Sequence, residues 1–283
     1  MEDHDKLIKP TLVNVRQVFH DKSPRLASLL PGFVYKYLER VLHQNDLNDI
    51  LTRHGGKYGI EFARATVDDF KVTVTVHGAE HMVPGQRYIF ASNHPLGGLE
   101  GFVLIDVIGR YYSNLKVLAN DILMNIVNLA PVFLPVNKHG KQAAELAKNL
   151  HEAYLSDMQI LTFPAGLVSR YINKQVMDLE WKKNFITKAI TYQRDVVPVH
   201  FSGRNSTFFY RFYQLRKLLG IKANIEMFYL VDETFRHRGE RITVIFGPPI
   251  PYTTFDNSKT PAQWAKWVKE KSYSLAGVTQ VPL

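Results

Sequence analysis

The segment Asn93-His94-Pro95-Leu96-Gly97-Gly98-Leu99-Glu100-Gly101 sets an imidazole and a carboxylate six positions apart among three glycines. An imidazole titrates near neutrality, so it can take a proton and return it within one cycle. A carboxylate held against one ring nitrogen fixes the tautomer and leaves the other nitrogen as the base. Six positions can bridge a tight turn into a helix, and the glycines let the backbone fold sharply and a substrate approach the main chain. The chemistry on offer is general-base activation of a hydroxyl by His94 with Glu100 as its orienter. The N–H groups of Gly97 and Gly98 are candidates to hold an oxyanion. A structural role competes: His94 capping the turn and Glu100 favouring a helix start through the macrodipole.

The elements around this segment decide whether such residues can meet. Tyr88 to Ala91 reads as a strand running straight into Asn93 and His94, and a helix is expected from Leu99 to Tyr112. Gln159 to Phe163 reads as a second strand, ending in Pro164-Ala165-Gly166-Leu167-Val168-Ser169-Arg170, a turn that finishes with a hydroxyl and a guanidinium. Further strands are expected at Lys71 to His77, Leu115 to Ala119, Val132 to Val136, Val196 to Phe201, Asn224 to Leu230 and Ile242 to Phe246. Helices are expected at Lys141 to Leu155 and Trp181 to Tyr192. Strand and helix largely alternate, which predicts an α/β fold, a mixed, largely parallel sheet flanked by helices. Ahead of it, Leu26, Leu29, Leu30, Phe33, Val34, Tyr37, Leu38, Val41 and Leu42 recur at helical spacing, an N-terminal helical arm broken at Pro31-Gly32.

The order of a histidine turn, a proline-glycine turn and a valine-proline strand (Asp195 to Val199) resembles the lysophospholipid acyltransferase (PlsC-like) superfamily. The resemblance covers about Arg87 to Pro251. Asn-His-Pro-x-Gly-x-x-acid-Gly, with the acid at Glu100 instead of the commoner earlier position, and Phe163-Pro164-Ala165-Gly166 are similar to the hemolysin-like and ornithine-lipid branch. The stretch from Val197 through Gly203, with FYRFYQLRKLLGIKAN and ITVIFGPPIP, also resembles acyltransferases of amino-acid lipids such as glycine lipids. What this implies is a catalytic pair His94 and Glu100, and substrate-binding residues at Asn93, Gly97, Gly98, Phe163, Pro164, Gly166, Ser169 and Arg170. Val136 stands where the superfamily carries an arginine, with Lys138 as its substitute. The implied division is an arm over residues 1–60 and an acyltransferase domain over 61–283. The implied activity is transfer of a fatty acyl group from a thioester, acyl-ACP or acyl-CoA, to the hydroxyl of a lyso-lipid, an N-acylglycine type preferred. A 1-acylglycerol-3-phosphate acyltransferase and a non-catalytic lipid-binding module are the alternatives.

Composition narrows the chemistry further. The 283 residues include no cysteine, which removes thiol nucleophiles, disulfides and thiolate metal sites, and Gly-x-Ser-x-Gly is absent. Direct transfer without an acyl-enzyme is expected, with no bound cofactor. His77 and His81 lie at a strand end and a turn and are not read as metal ligands. The charge of +9, from 35 basic and 26 acidic residues, suits an anionic partner, either an acidic acyl carrier protein or an anionic membrane surface. In Phe208 to Leu219, contiguous aromatics interleave with Arg211, Arg216 and Lys217 on one expected helix, which favours an interface or acyl chain over nucleic acid, and no nucleic acid is expected. The arm's apolar stripe is covered either by the main domain or by lipid. No signal peptide is read, and the longest uncharged run, between Asp121 and Lys138, is too short and broken to span a bilayer. The expected location is peripheral, on the cytoplasmic face of the inner membrane, with no transmembrane helix.

Overall fold

A computed structural model describes residues 12–119, 126–136, 141–172 and 174–277. Four helices come first: α1 (Val15–Lys22), α2 (Pro24–Leu29), α3 (Gly32–Val41) and α4 (Gln44–Arg53). The expected break falls where Pro31 and Gly32 stand, because proline cannot continue α2 but fits the start of α3. Then follow α5 (Gly59–Phe70), β1 (Thr73–His77), β2 (Tyr88–Ser92), α6 (Leu99–Ile108), β3 (Leu115–Ala119), β4 (Phe133–Pro135) and α7 (Lys141–Leu155). The rest comprises β5 (Gln159–Thr162), β6 (Arg170–Ile172), β7 (Gln175–Met177), α8 (Asn184–Tyr192), β8 (Asp195–Phe201), α9 (Thr207–Leu218), α10 (Leu230–Arg236), β9 (Arg241–Phe246) and α11 (Pro261–Ser274).

Seven strands form one sheet in the order β1-β9-β8-β2-β5-β3-β4, and β6 pairs with β7 in a separate hairpin. Within the sheet every neighbouring pair is parallel except β8 with β9. The carboxyl ends of β5, β2 and β8 therefore lie side by side in the middle of one edge, the position where open α/β sheets place their ligands. All five residues of β2 are buried, as a central strand covered on both faces requires. Phe90 faces a core shared with Phe62 and Val67 of α5 and Leu104 of α6, while Ile89 and Ala91 face α8 and α11 through Phe185, Ile186, Trp264 and Val268. This is the mixed, largely parallel α/β sheet flanked by helices that the alternation predicts.

One expected strand is absent. Residues 224–230 turn as a 3₁₀ segment, Ile225–Tyr229, leading into α10. Its short alternation of apolar and polar residues comes from Glu226, which is drawn inward by two guanidiniums, and not from a sheet face. The hairpin β6–β7 and helix α11 are additions to the expected elements. Lys138 lies outside the described residues. No helix among the described residues is long and apolar enough to cross a membrane.

Candidate active site

His94 sits two residues past the end of β2, and Asn93 ties that end to its neighbour. The Asn93 amide donates to the Phe201 carbonyl at 2.9 Å and accepts the Phe201 N–H at 2.7 Å, closing the β2–β8 edge like one more ladder rung. Asn93 is thus a buried strand tie, where the resemblance implied a substrate contact. The chain then turns through Pro95 to Gly98 into α6. Gly97 has φ +92, and a Cβ there would lie 2.7 Å from Val168 Cγ2 and 2.9 Å from Leu230 Cδ1, so only glycine fits.

This turn brings Glu100 back onto the histidine. His94 Nδ1 is 2.7 Å from Glu100 Oε1. A carboxylate accepts, so Nδ1 carries the hydrogen and Nε2 keeps its lone pair. Glu100 is completely buried and also accepts the backbone N–H groups of Leu96 at 3.0 Å, Gly97 at 2.7 Å and Gly98 at 2.8 Å. Those two glycine N–H groups are therefore engaged by Glu100, and the oxyanion role expected of them is corrected: they hold the orienter, not the substrate. The His94 ring stacks on Phe163 at 4.5 Å between centroids.

Burial opposes charge on both partners, and the pair overcomes it on both. Desolvation pulls the His94 pKa down, but the Glu100 charge and hydrogen bond, helped by Asp178, hold it above the ordinary imidazole value; Arg170 opposes weakly. Desolvation pushes Glu100 up, but His94 and the Gly97 N–H keep it below the usual carboxylate range. The resting state is an ionised Glu100 beside an imidazole that protonates readily.

The turn after β5 docks beneath. Ser169 donates its N–H to the His94 carbonyl at 2.8 Å and its hydroxyl to Asp178 Oδ1 at 2.5 Å. Asp178 Oδ1 also accepts the His94 N–H at 3.2 Å, and Oδ2 accepts Trp181 Nε1 at 2.7 Å. The Tyr273 hydroxyl receives the Asp178 N–H at 2.8 Å, and Lys269 donates to the Asp178 carbonyl at 2.6 Å. Asp178, Trp181 and Tyr273 went unread in the sequence, where Asp178 looks like a hairpin acid; the one local signal is its position three residues before a tryptophan.

Phe163, Pro164, Gly166 and Ser169 thus gather around His94 as one turn. Phe163 forms the aromatic wall, Pro164 is buried with its carbonyl accepting the Lys182 N–H, and Gly166 turns at φ +68 at the exposed tip. Arg170 is placed differently from the open carboxylate grip the sequence suggested. It is 1% exposed, donates to the Val168 carbonyl at 3.0 Å and pairs with Glu226 at 3.1 Å, under the rings of Phe209 and Tyr213. Arg216 shares the same carboxylate at 2.7 Å. Two guanidiniums on one acid keep Arg170 in the protein, clamping α9 and the 3₁₀ segment onto the Ser169 turn. His81, for its part, donates Nδ1 to the Phe246 carbonyl at 3.0 Å.

Comparison with known proteins followed the geometry. The sequence profile of a family described as Acyltransferase matches residues 17–280. A lyso-glycine lipid O-acyltransferase of Bacteroides thetaiotaomicron is 48% identical over 265 residues, covering 93% of this chain and 97% of that protein. A second lyso-glycine lipid O-acyltransferase, from Phocaeicola vulgatus, is 43% identical over 93% of this chain and 95% of its own length. Among solved structures, the 1-acyl-sn-glycerophosphate (LPA) acyltransferase PlsC of Thermotoga maritima superposes with a TM-score of 0.46 at 14% identity, over 88% of this chain and 95% of that one.

Proposed function

The chain belongs to the acyltransferase family, and from that premise we propose that it moves a fatty acyl group from an acyl thioester to the free hydroxyl of a lyso-glycine lipid. The observation that carries the mechanism is the 2.7 Å contact between His94 Nδ1 and the buried Glu100, which leaves Nε2 as the base. The acceptor hydroxyl gives its proton to Nε2 while its oxygen attacks the thioester carbonyl. Glu100 stabilises the imidazolium that forms. As the tetrahedral intermediate collapses the carbon–sulfur bond breaks, and the proton on Nε2 passes to the departing thiol. The ester product and free thiol leave the histidine as it began, with no protein nucleophile required.

The acceptor reading rests on the names of the two relatives, each covering almost the whole chain. The donor, acyl-ACP or acyl-CoA, enters as a co-substrate. The place of action is the face of a membrane, reached peripherally. The alternative of a non-catalytic lipid-binding module gives way to membership of an enzyme family. The test is to incubate the protein with acyl-ACP or acyl-CoA and an equal mixture of lyso-glycine lipid and lysophosphatidic acid, and to weigh the products. Diacylated glycine lipid is the expected product; preferential phosphatidic acid would replace this acceptor with the glycerolipid one.

A further inference from the structure

Helix α9 divides its side chains between two surfaces. Phe209, Tyr213 and Arg216, at helical spacing, turn inward around Arg170 and Glu226. Phe208, Leu215 and Leu218, with Leu219 just beyond, turn outward and are 50%, 51%, 84% and 63% exposed. On the arm, Leu29 and Phe33 are exposed to 78% and 74%. The two segments lie almost two hundred residues apart in sequence yet meet in space. The Tyr37 and Tyr229 hydroxyls are 2.6 Å apart, Phe19 stacks on the exposed Phe228 at 6.0 Å, and Tyr229 packs against Phe208 at 5.1 Å. Single exposed apolar side chains are ordinary on a protein surface, whereas a joined set of this kind marks an interaction site.

Charge identifies the occupant. Across 23–42 and 207–229 the exposed ionisable chains of lysine, arginine and the acids are Arg25, Lys36, Arg40, Arg211, Lys217 and Lys222, all positive. The two acids of these stretches are spoken for: Glu39 pairs with Arg16 at 2.9 Å, and Glu226 is buried between two guanidiniums. Projecting leucine and phenylalanine bordered by long cationic chains is the pattern that enters a bilayer interface while the charges reach up to headgroups. We infer that the arm and the outer side of α9 form one composite docking surface for an anionic lipid bilayer. The inner side of the same helix holds Arg170, next to Ser169, so the surface that meets lipid is built onto the turn that supports His94. The inference rests on the acyltransferase reading only for its purpose; lipid binding is measured without turnover.

The test is co-sedimentation of the full chain with phosphatidylcholine vesicles, with and without phosphatidylglycerol, for wild type, Leu218→Glu/Leu219→Glu and Leu29→Glu/Phe33→Glu. Each pair is expected to weaken partition into the anionic vesicles by about tenfold or more, and neutral vesicles are expected to bind wild type weakly. All three proteins should melt alike, because the altered residues are solvent-exposed, and should acylate a detergent-dispersed acceptor equally. Undiminished binding by the α9 pair would overturn the composite surface, and equal binding to neutral vesicles would overturn its anionic preference. If the α9 pair instead abolishes self-association or binding of acyl carrier protein while vesicle binding persists, the surface belongs to a protein partner and the inference fails. A wild type that binds vesicles but acylates nothing would count against the catalytic reading alone.

Discussion

Ser169 and Asp178 are joined by a 2.5 Å hydrogen bond, and the same Asp178 oxygen accepts the backbone N–H of His94. One buried carboxylate therefore stitches the turn after β5 to the turn after β2, and its charge adds to that of Glu100 in favouring a protonated His94. Asp178 touches no reacting atom; it is a positioning residue.

Asp178→Asn tests that position. Three donors converge on the side chain, from Ser169, His94 and Trp181, and an amide offers only one accepting oxygen. A displaced turn is expected to lower turnover on the order of 10²-fold with little change in the acceptor KM. Losing the negative charge should also move the acid limb of the pH–rate profile to lower pH. A fall in melting temperature with the profile unmoved would reduce Asp178 to a purely structural tie.

The pair itself gives a signed pH dependence. Transfer needs neutral His94, so the rate should rise with pH through its pKa, and the midpoint should lie above the ordinary imidazole value of about 6.5 because Glu100 outweighs burial. His94→Ala should remove about 10²- to 10⁴-fold of turnover. Glu100→Gln keeps the burial and loses the charge, so the limb should slide to lower pH as the rate drops, while Glu100→Asp falls between. Steady-state rates across pH 5 to 9 decide it, and a Gln variant as fast as wild type would return Glu100 to a helix-start role.

What the sequence disclosed and what it hid divide by distance along the chain. His94 and Glu100 are six positions apart, and the turn between them is written in local glycines. The central strands are legible because β2 and β5 are uninterrupted apolar runs that end in turn residues. Asp178 meets His94 across 84 positions and Tyr273 across 95, and no local pattern encodes either meeting. Arg170 looked free because its counter-ion, Glu226, sits in a stretch whose brief alternation imitates a strand. Gly97 and Gly98 were legible as turn residues, but the direction of their N–H groups depends on where Glu100 comes to rest.

Gly97→Ala should destabilise the fold as well as the site. Its Cβ would demand φ +92 from an L-residue and press on Val168 and Leu230. A cost on the order of 1–3 kcal/mol is expected, read as a lowered melting temperature. A melt identical to wild type would mean that the turn relaxes freely, against the close approach described.

His200, at the end of β8, sets an acid limit on stability. Its Nδ1 is buried without a partner near the Tyr273 ring, and burial lowers its pKa to about 4. The unfolded chain takes up this proton near pH 6.5 and the folded one only near 4, so stability should fall as pH drops across that window, by roughly 3 kcal/mol in full. His200→Gln cannot titrate, and its unfolding free energy should lose that share of the pH dependence. Denaturant melts at pH 7.5 and 4.5 measure the difference, and identical slopes for both proteins would refute it.

The last prediction concerns the clamp of Arg170, Glu226 and Arg216, where a substrate contact was expected. Glu226 is fully buried and is the carboxylate shared by two nearly buried guanidiniums. Glu226→Gln would leave both cations without it, a loss of about 3–5 kcal/mol for breaking a buried ion pair. At about 2–4 °C per kcal/mol in a chain of this size, the melting temperature should fall on the order of 10 °C. Arg170→Lys is the sharper variant. An ammonium cannot span Glu226 and the Val168 carbonyl together, nor stack flat beneath Tyr213. If Arg170 is a clamp, this variant should melt earlier while the KM for the lyso-glycine acceptor stays near wild type. A raised acceptor KM at unchanged melting temperature would show instead that Arg170 leaves Glu226 to Arg216 and turns to the acceptor's carboxylate, which makes the pair of measurements on one variant decisive between the two roles.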